Sequence, residues 1–466
     1  MIMKRISELK MIMSVLALSV VSMLIPSCDK NEDSVKLYEV SVALEYPVSY
    51  EAYAGAPVTL RDVNVGTVYD AETDEKGIAT FKVPSGVYEA MTSDAKDVDE
   101  MSFIFNGVSA QIVAEKVGSS PITISVKVSA FNREKALIIK EIYNGGVTKD
   151  NGEDSFAMDK CIILYNNSPK EITVDNLAVG MSAYYNAEAA AMSKIYNNGK
   201  LIYEDENFIP AMNGIWYFQA PLTIPAFTQV VVNCMGAIDN TLTVSNSVNY
   251  ANADYYTMYD PEYKGAGTNE SNMYYNNTSY YPAPADVIPT SHYLKTVKVG
   301  QSSGWPLSAT SPAIFIYQTE GVTPKDYAEN VDNLWYYPGY AQSATWGCTK
   351  VPNEWILDGV EVWSTPKIAD SKKRFTADID AGYVALTNKL GHVLYRNVDV
   401  DRTEALPENN GKLVYNYSLA VDDANNGEAV IDAEASMKNG AHIVFMDTNN
   451  STNDFHERLK CSLRGE

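Results

Sequence analysis

Tyrosines dominate the side chains of this sequence that could meet a ligand. Nine fall between Tyr250 and Tyr281, with Tyr255-Tyr256, Tyr274-Tyr275 and Tyr280-Tyr281 as pairs, interleaved with Asn269, Asn272, Asn276 and Asn277. Trp335-Tyr336-Tyr337 follows, with Trp346 and Trp355 beyond it. Tyr and Trp offer flat apolar faces at low rotamer cost, and Asn supplies both donor and acceptor. Such a set suits the grip of a sugar ring, a peptide or a partner protein. The plainer alternative is that the same rings pack long insertions onto a scaffold, with their hydroxyls satisfied at the rim.

Catalytic equipment is sparse. The four histidines, His292, His392, His442 and His456, have no local spacing that suggests a shared metal. His292 and His456 read as surface residues, and His392, in Leu390-Gly391-His392-Val393-Leu394, as flanking a strand turn. There is no His-Glu-x-x-His, phosphate-binding glycine loop or dinucleotide fingerprint. Acidic pairs are plentiful because acids are plentiful. A glycosidase needs two carboxylates roughly 5 to 9.5 Å apart across a cleft, which loops of a β protein could supply. Asp399-Val400-Asp401, and Asp422-Asp423 with Asn425 and Asn426, could bind Ca²⁺ through oxygens, yet neither follows a full calcium loop, and solvated turns are the favoured reading. The expectation is a protein without a catalytic residue, resident metal or cofactor.

The elements that must position these residues are set by composition. The 466 residues are 46% hydrophobic and 20% charged, which is a folded chain with room for two or three domains. A net charge of −23 argues against nucleic acid and anionic membrane surfaces, both of which need clustered positive charge. The 32 Tyr against 12 Phe and 6 Trp favour wetted strands and recognition surfaces. Cys161, Cys234, Cys348 and Cys461 have no paired spacing, which excludes a zinc knuckle and leaves buried thiols or disulfides.

The first residues give an address. Lys4, Arg5 and Lys10 precede an apolar run from Met11 to Ile25, too short for a permanent span, and the pattern reads as a secretory signal. Its end, Ile25-Pro26-Ser27-Cys28, resembles a bacterial lipobox, which implies removal of residues 1–27 and lipidation of Cys28. Several acyl chains anchor stably where one does not. Residues 28–35, with Asp29-Lys30-Asn31-Glu32-Asp33-Ser34, form a polar acidic tether. This tether resembles the export signal of Bacteroidetes-type surface lipoproteins, and Asp33-Ser34-Val35 resembles their O-glycosylation motif, with Ser34 the acceptor. The resemblance implies an outer-membrane, outward-facing protein, and by analogy an outer-membrane transporter of the TonB-dependent class as partner.

Two sandwiches follow. Over 36–131, Val58-Thr59-Leu60, Ala79-Thr80-Phe81-Lys82-Val83 and Ile122-Thr123-Ile124-Ser125-Val126-Lys127-Val128 alternate with period two, as half-buried antiparallel strands do. With Gly77 and Gly86 at expected positive-φ turns, Thr73–Phe81 and Val83–Tyr88 resemble a carboxypeptidase regulatory-like domain, a non-catalytic immunoglobulin-like β-sandwich. Over 135–466, Ala136–Gly146, Asp159–Ser168, Ile172–Leu177, Leu222–Val232, Leu357-Asp358-Gly359-Val360-Glu361, Arg396 and Asn449–Phe455 fall in the order of a lamin-tail domain. Ile163 stands where that family has glutamate, and no tryptophan follows Leu177. An immunoglobulin-type sandwich needs about 100 residues, so long insertions must leave it: Met181 to Tyr217, Asp239 to Trp305 and Gln318 to Glu354. Ala187–Lys194 is the best helical candidate.

The expected fold class is therefore mainly β: a small N-terminal immunoglobulin-like β-sandwich followed by a larger lamin-tail-like β-sandwich with long insertions. The whole arrangement resembles an uncharacterised Bacteroidetes-type surface lipoprotein family. The expected function is non-enzymatic binding of a nutrient, such as a glycan or peptide, or of a partner protein. A glycan hydrolase with acids in the insertions, and an adhesin or structural surface protein, are the alternatives. The binding candidates are Tyr255, Tyr256, Tyr274, Tyr275, Tyr280, Tyr281, Trp335, Tyr336 and Tyr337.

Overall fold

Period-two alternation builds the first pair of sheets. In the strand Tyr38–Glu45, Val40, Val42 and Leu44 are buried while Ser41 and Ala43 are only partly so. The neighbouring strand Ile78–Val83 buries Ala79, Phe81 and Val83 and exposes Thr80 and Lys82. These two and Ile122–Lys127 form a three-stranded sheet. Facing it is a five-strand path in the order Val68–Glu72, Pro57–Asp62, Gly86–Val98, Met101–Val108 and Ser129–Asn132, with Ile112–Ala114 paired to Gly86–Val98. The core between them holds Val40, Val42, Leu60, Phe81, Tyr88 and Phe105. The computed structural model describes residues 36–46, 50–98, 101–114, 122–127, 129–132, 136–182, 195–197, 200–263, 282–299, 307–337 and 347–464.

Two details differ from the sequence expectation. Tyr38–Glu45 and Ile122–Lys127 run parallel, Val40 opposite Ile122, so the sandwich is not purely antiparallel. The long stretch of chain between them, which builds the opposite sheet, is the crossover that parallel neighbours require. Gly77 has the expected positive φ of 74°, but Gly86 does not. At Gly86 the constraint is space: a Cβ there would lie 2.6 Å from Asp62 Oδ2.

The larger part is a sandwich of two six-stranded sheets. One runs Tyr256–Thr257, Gln229–Met235, Lys160–Asn166, Leu137–Tyr143, Val393–Arg396, Phe455–Arg458. The other runs Lys295–Val297, Ile215–Tyr217, Leu177–Met181, Ala313–Gln318, Ile356–Ser364, Val384–Leu386. Ile139, Ile142, Ile162, Leu164, Trp216, Ile314, Ile316, Val360 and Leu394 fill the space between. All seven residues of Leu137–Tyr143, and all seven of Lys160–Asn166, are buried. Strands covered on both faces lose the alternating pattern, and the charges inside the first are held by partners, Lys140 by Gln229 and Glu434 and Glu141 by Ser462.

The cover comes from the insertions and the C-terminal segments. Over one patch of the first sheet, Ala237, Val248, Tyr250 and Ile288 close on Tyr143, Cys161 and Ile163. Over another, Ile431, Ile443, Val444 and Phe445 close on Ile138, Tyr165 and Tyr395. Outside the second sheet lies a third, Phe208–Met212, Gly347–Pro352 and Leu334–Tyr336, assembled from two different insertions. Its Phe208, Ile209 and Val351 pack on Phe315, Tyr317 and Ile356. Ala187–Lys194, expected to be helical, lies outside the described residues.

Three sequence pieces that are far apart in the chain meet in one buried ion network. Arg396 is 1% exposed and pairs with Asp358, with Asp447 at 3.3 Å and with Asp454 at 3.7 Å. Its Nε donates to Ile139 O at 2.8 Å, while Asp358 accepts from Ile139 N at 2.7 Å. Asp358 stands on one sheet and Arg396 on the other, so the network pins the sandwich across its core. Three carboxylates share one guanidinium, and burial pushes the Asp454 carboxyl up to about 7, against the pull of Arg396. The compact unit so built runs from Tyr38 to Glu466.

Candidate functional site: a polar cleft between the two sandwiches

Arg61 and Glu89 are direct cross-strand partners on Pro57–Asp62 and Gly86–Val98. The second sandwich meets them with Trp363, near the end of the strand Ile356–Ser364, and with the segment Thr365–Lys373 that follows it. Between them lies a cleft of about 230 Å³, lined by Arg61, Glu89, Gln111, Tyr196, Trp363 and Lys373 among others. The two sandwiches are held together nearby, where Asn106 Nδ2 donates to Thr448 O at 2.7 Å and Asn449 O at 3.1 Å.

The rear wall is rigid. Trp363 stacks on Tyr383 with centroids 3.7 Å apart and planes 12° from parallel. The Arg61 guanidinium lies 5.6 Å from the Trp363 ring and 5.1 Å from the Tyr383 ring, a cation–π arrangement. Behind the wall, Glu361 is fully buried. It accepts from Arg374 N at 2.7 Å and Phe375 N at 3.2 Å and pairs with Lys373 Nζ at 2.7 Å. Lys373 also donates to Gly382 O, and Tyr196 donates to Lys373 O at 2.6 Å. The lysine is thus fixed from three sides.

The cleft side is less satisfied. Arg61 is only 7% exposed. Neither its guanidinium nor the carboxylate of Glu89 nor the ammonium of Lys372 makes a hydrogen bond or ion pair to the described residues. Burial raises the Glu89 carboxyl above its ordinary value, and Arg61, Lys373 and Lys372 oppose that rise. A guanidinium, an ammonium and a carboxylate therefore converge on one small space with bonding capacity unused. That arrangement can bind a polar molecule.

Of the residues picked out from the sequence, those among the described residues lie elsewhere. Tyr274, Tyr275, Tyr280 and Tyr281 are outside the described residues, as are Cys28 and Ser34. Tyr256 stacks on His292 at 4.2 Å and packs beside Phe218 at 5.1 Å. Tyr255 leans on the cluster of Tyr250 and Val248. Trp335 is ringed by Tyr203, Phe208 and Tyr337, and Tyr337 is 1% exposed. Tyr336 ends the edge strand of the third sheet, opposite Gly347. Tyr255, Tyr256, Trp335, Tyr336 and Tyr337 do not line the cleft.

Other expectations resolve as follows. Cys161, Cys234, Cys348 and Cys461 are buried free thiols, and burial pushes those of Cys234, Cys348 and Cys461 up. His456 is not a surface residue: it is 7% exposed, held by Tyr417 OH at 2.8 Å and Asn397 Oδ1 at 2.7 Å, and burial lowers it to about 4. Its strand, Phe455–Arg458, sits on a sheet whose outer face is covered, which one sequence window does not reveal. Asp399 and Asp422 cap short helices by accepting from Arg402 N and Ala424 N. Among the described residues no three His, Cys, Asp or Glu gather as a metal site, and no helix is long and apolar enough to cross a membrane. The sequence reading missed Arg61, Glu89, Trp363, Tyr383 and Lys373. One signal was available: Lys372-Lys373-Arg374 is the only run of three consecutive cations in an acidic chain.

Stacked β-sheets around several cores, with a polar cleft between two of the sandwiches, define a mainly β protein of the β-sandwich type. The chain belongs to the DUF4876 family, described as a protein of unknown function, whose profile matches residues 228–462. Among solved structures it is similar to a DUF4876 family protein from Bacteroides thetaiotaomicron VPI-5482, at 17% identity and a TM-score of 0.46, over 90% of this chain and 94% of that one. It also aligns with the full-length major pilin SpaD from Corynebacterium diphtheriae, at 11% identity and a TM-score of 0.17, over 78% of this chain and 99% of that one. No curated protein matches.

Proposed function

We propose that this protein is a lipid-anchored outer-membrane surface protein that binds a small polar ligand in the cleft between its sandwiches and releases it unchanged. The observation that carries this reading is the set of unengaged charged groups, Arg61, Glu89 and Lys372, around a preformed cavity backed by the Trp363–Tyr383 stack. Ligand sites favour domain interfaces, and a rigid wall lowers the entropy lost on binding. Hydrolysis is less well supported, because Glu89 is the one carboxylate lining the cleft while Glu361 is sealed behind it by four donors. The lipobox-like Ile25-Pro26-Ser27-Cys28 supports the anchor and the acidic tether supports an outward address. The motif order supports a carboxypeptidase regulatory-like domain followed by an expanded lamin-tail-like one. In this reading the tether gives reach, and the lipid keeps the cleft at high local concentration near a transporter of the TonB-dependent class.

The test is a ligand array of sugars, peptides and small acids on the soluble form beginning at Asp29, followed by analysis of the recovered ligand. Saturable binding that is lost on Trp363→Leu, with the ligand returned intact, supports the reading. A converted product would move the protein to the hydrolases. Co-purification from detergent-solubilised outer membranes tests the transporter: recovery of the lipoprotein alone removes that partner.

A further inference from the structure

We propose that the ligand of the cleft is a small carboxylate that carries a hydroxyl or ammonium group beside its acid group. This rests on the binding reading of the same cleft. Arg61 is more than nine-tenths buried, lines the cavity and has no hydrogen-bonding or ion-pairing partner among the described residues. The two rings and the nearby Glu89 carboxylate offset its charge but leave its N–H groups unbonded, so a buried fork with donors to spare marks a place for an anion. The guanidinium fork matches a carboxylate in two parallel bonds. Its orientation is fixed in advance, because it lies against the Trp363 and Tyr383 rings.

Glu89 narrows the class. Its carboxylate faces the same cavity, with Arg61, Lys373 and Lys372 as neighbouring charges but no hydrogen-bond donor among the described residues, so it can accept from the ligand. An ion made only of acceptors, such as sulfate or a phosphate dianion, would bring Glu89 against like charge. A molecule with an acid group and an adjacent hydroxyl or ammonium satisfies Arg61 and Glu89 together. Lys372 adds a second cation, whereas Lys373 is already neutralised by Glu361. The balance at the cavity mouth is thus two cations against one anion, in a chain whose net charge is −23. Hydroxy-acid sugars and amino acids share this chemistry, and the two sources are separated by experiment.

Isothermal titration of the soluble form beginning at Asp29 would use D-glucuronate, L-glutamate and D-glucose. The expected result is saturable binding of at least one of the two acids and none of glucose. Arg61→Gln should weaken that binding at least ten-fold with an unchanged melting temperature, and Arg61→Lys should restore part of it. Glu89→Gln should shift preference between the two acids, since a neutral amide holds a hydroxyl but not an ammonium. Binding of glucose in place of the acids, lost on Trp363→Leu, would overturn the carboxylate while leaving the cleft as a site. Failure of both acids to bind, or indifference to Arg61→Gln, would overturn the inference, and the cleft itself would then stand or fall on the wider array.

Discussion

Arg396 illustrates how one buried charged side chain can tie the two sheets of a sandwich together. It reaches from the sheet of Val393–Arg396 to Asp358 on the facing sheet, with Asp447 and Asp454 completing its surroundings. Removing one partner of a buried ion pair leaves uncompensated charge and costs about 3–5 kcal/mol. Arg396→Leu should therefore lower unfolding stability by about that amount, read from the urea midpoint. Asp454 makes a second prediction. Its carboxyl is held near 7 when folded, against 3.8 as the ordinary value, so the native state keeps a proton that the unfolded chain releases. The stability this proton confers is complete below about pH 4 and is lost as pH rises through about 7. His456, lowered to about 4, works in the opposite sense and costs stability as pH falls from 6.5. Asp454→Asn should flatten the loss of stability between pH 5 and pH 8, measured by urea unfolding at both. An unchanged slope would assign it to other groups.

At the scale of elements, the insertions act mainly as cover. Strands such as Leu137–Tyr143 are buried on both faces, and folding requires a second layer on each side. Tyr250, Val248 and Ile288 provide one such layer, and Phe208, Ile209 and Val351 another. Close packing leaves little room for change: a Cβ at Gly180 would sit 2.4 Å from the Phe315 ring. Gly180→Ala should cost roughly 1–3 kcal/mol, seen as a lower urea midpoint without loss of fold. Much of this was legible in the sequence. Period two marked Val58–Leu60 and Ala79–Val83, because alternation reports burial within a single strand, while Ala136–Gly146 and Asp159–Ser168 were placed only as ordered pieces. The pieces around Asp358, Arg396 and Asp454 were legible as an ordered set. The third sheet was not, since Phe208–Met212 and Gly347–Pro352 are brought together only by tertiary folding. Gly86 was misread because space, not φ, demands it. The cleft had no tyrosine signal of its own: a ring that packs and a ring that binds look alike in sequence, and Trp363 lies between ordinary strand residues.

For the whole molecule, the position of the cleft follows from the joining of two sandwiches. Arg61 and Glu89 come from one, Trp363 and Lys373 from the other, so neither half alone has the site. Asn106 bridges them through Thr448 O and Asn449 O. Asn106→Ala should loosen the junction and weaken ligand binding several-fold while each sandwich keeps its own core, a combination that hydrogen exchange at Gly86–Val98 and Ile356–Ser364 would separate from global unfolding. The proposed anchor makes a whole-molecule prediction too: Cys28→Ser should move the protein from the membrane fraction to the soluble fraction of the envelope. The central claim is that this scaffold holds a small ligand without altering it. It is tested most directly by incubating the purified mature protein with a bound ligand from the array and following both by NMR. The account predicts line broadening of an unchanged ligand that Arg61→Gln and Trp363→Leu abolish. Appearance of new product resonances, or binding indifferent to both substitutions, would contradict it.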